Sequence, residues 1–165
     1  MTHQTDNVPA VTTEQLIASL QRPTAYPFPV ERIEFLQTHI SLLFFAGDHV
    51  YKVKKPVDMG FLDYTTLEAR QHFCKEEVRL NSRLAPETYL GVVSITRDQS
   101  GELHVGGDGE IVDYAVHMKR LPADRMFDKL IEHGIIDNER LDAIVDLLVD
   151  FHGRAATGSD VNQYA

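Results

Sequence analysis

The chain has 165 residues, 43% of them hydrophobic and 25% charged, with a net charge of −9. This is an ordinary globular composition, long enough to bury roughly 70% of its unfolded surface, and its acidic balance argues against a generic nucleic-acid-binding face. The single cysteine, Cys74, excludes an internal disulfide and a cysteine-built metal site, and no apolar run approaches the roughly 20 residues that span a bilayer.

Residues 1–11 are polar, lack the basic and apolar regions of a secretory signal, and read as an N-terminal tail. With a single cysteine, cytoplasm is the expected compartment. Thr12 and Gln15 have capping-box spacing, with Leu16, Ile17 and Leu20 following at helical intervals, so a short helix is expected to end before Pro23. Prolines at 23, 27 and 29 predict an extended lead-in. Three antiparallel strands are then expected, over "RIEFLQ", "ISLLFFA" and "HVYKVK", with Gly47-Asp48 turning the second into the third.

Thr65 and Glu68 suggest a second capping box, opening a helix that runs to about Leu84 or Ala85, ahead of Pro86. "GVVSITR" and "IVDYAVHMKRL" predict two more strands, joined by a glycine-rich connection with room for a hairpin of its own. After Pro122 a short helix is expected, capped by Asp124 and stopped by Gly134. A longer amphipathic helix follows, with Leu141, Ile144, Val145, Leu148 and Phe151 on one side and Gly153 at its end. Strands followed by helices predict an α+β fold. The boundaries that result are 1–23 for the tail and first helix, 24–121 for the strand-rich region, 122–155 for the later helices and 156–165 for a polar tail.

Three lysines crowd the end of the third strand. Side chains two apart share a strand face, so Val50, Lys52 and Lys54 lie on one side and Tyr51, Val53 and Lys55 on the other. A solvated strand end would account for all three lysines. The following helix argues for more. Ala69, Phe73, Leu80 and Leu84 form one apolar stripe, and Leu67, Cys74 and Val78 another. Glu77 falls between them and Glu76 at the edge. An inward carboxylate is costly unless it is paired, so an ion pair between a strand lysine and Glu77 is expected. Lys54 and Glu76 stay open as substitutes.

The stretch "THISLLFFAGDHVYKVKKPVDMGFLDYTTLEARQHFCKEEVRLNSRLAP" resembles the aminoglycoside phosphotransferase-like kinases. More closely, it is similar to a group of bacterial proteins in which such a domain precedes a P-loop ATPase domain. The resemblance covers about residues 24–155, and "VYKVKKPVDMGFLDYTTLE" is its most specific part. It implies a protein-kinase-like small lobe, a five-stranded antiparallel sheet with one packed helix, followed by two helices that begin a truncated large lobe. ATP is the implied ligand. Lys52 would hold its phosphates and Glu77 would position Lys52. In such a lobe the residue two before the lysine lines the adenine pocket, which suits Val50 and favours Lys52 over Lys54.

The resemblance further puts Thr38, His39 and Ser41 in the turn over the phosphates, although Thr38 and Ser41 serve equally well as turn stabilisers. It puts Met118 at the gatekeeper position and gives the backbone of Lys119 and Leu121 the adenine edge. The histidine–glycine–aspartate loop and metal-binding aspartate of these kinases are not found in the sequence, so no catalytic residue and no metal ligand is assigned. Mg2+ is expected only in a full-length protein, and no ATP turnover is expected of this chain. The acceptor would be a hydroxyl-bearing small molecule of unknown identity. The alternative is a non-catalytic module, its large-lobe surface covered by a second copy or another protein. The histidines lack metal-ligand spacing such as H-E-x-x-H, so no zinc site is expected.

Overall fold

The computed structural model describes residues 11–156; the expected N-terminal tail up to residue 10 and most of the C-terminal tail lie outside them. Helix α1 spans Thr13–Leu20 and begins with the expected capping box: Gln15 N donates to Thr12 Oγ1 at 3.2 Å, and Thr12 N to Gln15 Oε1 at 2.9 Å. The lead-in is not wholly extended. Pro23–Ala25 form a 3-10 turn, because proline's fixed φ suits the first position of a helical turn. The Tyr26 hydroxyl ties this turn back to α1 by donating to the Leu20 carbonyl at 2.7 Å.

Strands β1 (Ile33–Gln37), β2 (Ser41–Ala46) and β3 (His49–Lys54) form an antiparallel meander. Gly47 takes φ 57° between Ala46 and His49, the left-handed first position that a two-residue hairpin turn of this kind needs. Helix α2 spans Leu67–Asn81. Its cap is Thr66 rather than Thr65. Asp63 Oδ1 holds both the amide and the hydroxyl of Thr65, so the next threonine receives Ala69 N at 3.1 Å. The helix ends sooner than its periodicity suggests, and residues 82–84 continue as turns.

Strands β4 (Tyr89–Arg97), β5 (Leu103–Val105) and β6 (Glu110–Lys119) complete a sheet of six strands rather than five, in the order β1-β2-β3-β6-β4-β5. The extra strand comes from the glycine-rich connection. Asp98 anchors its turn by accepting the amides of Ser100 and Glu102, each at 2.9 Å. Every pairing is antiparallel.

The faces of the sheet differ in chemistry. Leu16 and Leu20 of α1 bury against Phe44, Tyr51, Val53, Ile95, Leu103, Val105 and Ala115, forming an apolar core. Helix α2 covers the other face along β6 and β4. Its inward residues are Arg70 and Cys74, with Glu77 half-buried; Leu80 and Leu84, expected on the buried stripe, are exposed. The contact face is thus narrower and more polar than the stripes imply.

Among the described residues, those from Leu121 onward form a second compact unit. Asp124 lies in a 3-10 turn, Ala123–Arg125, and helix α3 (Phe127–Glu132) starts at Met126 with no side-chain cap, contrary to expectation. Gly134 stops α3 as expected: at φ 65° it donates to the Ile131 carbonyl, while Ile135 N reaches Leu130 O. Helix α4 spans Asn138–Gly153 and is capped by Asp137. Its apolar residues Leu141, Ile144, Val145 and Leu148 are exposed. No helix among the described residues is long and apolar enough to cross a membrane.

Candidate functional site

Strand alternation turns Tyr51 and Val53 into the apolar core and Val50, Lys52 and Lys54 toward α2. Both lysines meet one carboxylate. Lys52 Nζ donates to Glu77 Oε1 at 2.8 Å, and Lys54 Nζ donates to Oε2 at 2.7 Å. The choice between the two lysines has no single answer: Glu77 takes one on each oxygen. Glu76 is not a substitute. It points outward and pairs with Arg79 at 2.6 Å.

The two lysines are in different environments. The Lys54 side chain is 4% exposed and that of Lys52 28%. Lys54 Nζ lies 4.9 Å from the centre of the Tyr64 ring, a cation–π distance. Burial pulls the Lys54 ammonium down, but the Glu77 bond and charge outweigh it and hold it above its ordinary value. For Glu77, burial pushes the carboxyl up, and the hydrogen bonds from Lys52 and Lys54 outweigh it and hold it low. Lys54 and Glu77 are therefore charged at neutral pH, and two lysines against one carboxylate give the cluster a formal charge of one positive.

The surroundings of Lys52 follow from the register. Leu43 and Val116 are its strand partners on β2 and β6. Val50, buried, pairs with Met118, which also pairs with Tyr89 on β4. An apolar row therefore runs beside the cationic one on the α2 face. Lys119 N is engaged, donating to the Thr88 carbonyl at 2.8 Å. Leu121 is the first residue of the second unit and is exposed.

The β1–β2 turn is closed on itself. Thr38 N donates to the Ser41 carbonyl at 2.9 Å, and Ser41 N donates to Thr38 Oγ1 at 3.0 Å. The Thr38 hydroxyl and the Ser41 main chain thus stabilise the turn. Ser41 is directly opposite Lys54, and its buried hydroxyl has no hydrogen-bond partner among the described residues. His39 is exposed at the tip.

Sequence reasoning missed two groupings. Arg70 is buried against β6, where its Nε meets Asp113 Oδ1 at 2.9 Å and its Nη1 caps the carbonyls of Tyr64 and Thr65, both at 3.1 Å. The available signal was its spacing. Arg70, Cys74 and Glu77 share one helix face, so an inward Glu77 implies an inward Arg70. On the opposite face of the sheet, His117 Nε2 and His49 Nδ1 are 2.9 Å apart, and the His117 ring stacks on Tyr51 at 4.7 Å. No local spacing could show that pair. No group of three or more metal-ligating side chains occurs among the described residues. A cavity of about 350 Å3 beside α1, lined by Gln15, Ser19, Arg97 and Leu103 among others, lies away from the lysines.

Over 123 residues the chain is 37% identical to uncharacterized proteins of Mycobacterium tuberculosis and Mycobacterium bovis, a match covering 74% of this chain. The matched segment is only 23% of the length of those relatives. No family model and no solved structure matches the chain.

Proposed function

We propose that residues 24–121 are the nucleotide-binding lobe of an aminoglycoside phosphotransferase-like small-molecule kinase, which in a longer protein transfers phosphate from ATP to a hydroxyl acceptor. The observation that carries this reading is the ion pair between Lys52 on the third strand and Glu77 on the next helix, 2.8 Å apart across 25 residues. In kinase-like lobes that pairing positions the lysine for the nucleotide phosphates. The order β1-β2-β3-β6-β4 also supports it, since it brings the strand leading into residues 119–121 beside the lysine strand.

The residues suit the ligand. Val50 and Met118 offer an apolar row for the base and Lys52 a partly exposed ammonium for phosphate, and the resemblance gives the adenine edge to the main chain at Lys119. ATP brings the transferable phosphoryl group. Mg2+ and the acceptor belong to the longer protein in this reading.

The test is an NMR titration of 15N-labelled protein with Mg-ATP at millimolar concentration, for wild type and Lys52→Ala. Shifts centred on Val50, Lys52, Met118 and Lys119, lost in the variant, are expected. No shift in wild type overturns the reading. The exposed apolar side of α4 favours a second reading, a non-catalytic protein-binding module, which that negative result would select.

A further inference from the structure

A lysine paired with one glutamate is a neutral unit, and an arriving phosphate meets a carboxylate as well as an ammonium. Here the unit is not neutral. Glu77 is held from both sides, by Lys52 at 2.8 Å on Oε1 and by Lys54 at 2.7 Å on Oε2. The two ammoniums are not equivalent. Lys54 is 3% exposed and packed over Tyr64, whose hydroxyl is 3.5 Å away. A buried ammonium without a counter-charge is strongly penalised, so Lys54 keeps Glu77 as its lasting partner. Lys52 has water at one side and can bind another anion without stranding a buried charge.

We infer that Lys54 is a positioning residue: it holds and neutralises Glu77, so that Lys52 presents a net positive charge to a phosphate group. This rests on the nucleotide reading above and adds a residue that reading does not assign. It also accounts for a second lysine on the α2 face of a strand end where one would make the pair.

Inorganic tripolyphosphate is the probe, because it carries the charge of the nucleotide's phosphates without the base. Its binding is measured by NMR for wild type, Lys54→Met, Lys54→Arg and the double variant Lys54→Met with Glu77→Gln, at low and at physiological salt. Lys54→Met keeps the apolar stem but leaves Lys52 neutralised by Glu77, and should weaken binding roughly tenfold at low salt. Lys54→Arg should retain most of the affinity. The double variant removes both buried charges and restores the net charge, and the glutamine carbonyl can still accept from Lys52, so its affinity should rise clearly above that of Lys54→Met while staying short of wild type, because a neutral amide holds Lys52 less firmly. A purely structural Lys54 would show no such recovery.

Wild-type affinity in Lys54→Met, or a double variant as weak as Lys54→Met, overturns the inference and leaves the nucleotide reading standing. Wild type that binds neither tripolyphosphate nor Mg-ATP overturns both. A ligand-free measurement covers the case in which a variant binds poorly because it is loosened. The Glu77 carboxyl, followed by 13C NMR, should titrate higher in Lys54→Met than in wild type, and an unchanged titration overturns the inference.

Discussion

The Lys54 ammonium and the Glu77 carboxylate meet at 2.7 Å between β3 and α2, and the lysine is almost fully buried there. Two buried or half-buried charges that need one another make the contact between α2 and the sheet all-or-none. Glu77→Ala should therefore cost about 3–5 kcal/mol, the range for stranding one member of a buried pair. Lys52→Ala removes a partly exposed ammonium and should cost under about 1 kcal/mol. Urea unfolding of the two variants, followed by circular dichroism, checks the ordering; equal losses would show that Lys54 does not depend on Glu77.

Stability should fall in two steps on acidification. Burial, and then the neighbouring His49, lower the His117 pKa from its ordinary 6.5. The unfolded chain thus takes up this proton first, and stability present above about pH 6.5 is lost as pH falls through the lower folded value. Glu77 is also held low, so its contribution is complete above its ordinary 4.5 and is lost below that, through its folded value. Lys54 is raised above 10.5, so its contribution is lost only in strong alkali. Thermal melts from pH 8 to pH 3 should show the first loss in wild type and not in His117→Phe.

Cys74 should report unfolding. It is fully buried on α2, and burial pushes its thiol up to about 12, so neither access nor thiolate is available in the native state. Ellman's reagent should leave the folded protein unlabelled and react rapidly in urea. Prompt labelling of folded protein would mean that α2 lifts from the sheet.

Gly109 should resist substitution for steric reasons, not for its backbone angles. A Cβ there would run into the backbone carbonyl of Arg97, where β4 meets the start of β6. Gly109→Ala should cost about 1–3 kcal/mol, the range for overpacking. Chemical denaturation reads it directly, and a neutral result would show that the β4–β6 end can open.

What could be read from the residues alone was local. The Thr12–Gln15 cap, the Gly47-Asp48 turn, the stop at Gly134 and the alternation that sets Lys52 apart from Tyr51 depend on neighbours within a few positions. Helical spacing also turned Glu77 inward before any partner was known. Partnership was a matter for the tertiary structure. Laying β6 beside β3 brings His117 to His49 and Met118 to Val50, and seating α2 on β6 brings Arg70 to Asp113. A strand as short as Leu103–Val105 has too few residues to show a period, so pairing with β4 alone defines it. That Glu77 holds Lys54 as well as Lys52 likewise depends on where a carboxylate comes to rest between two ammoniums, a distance that sequence spacing does not contain.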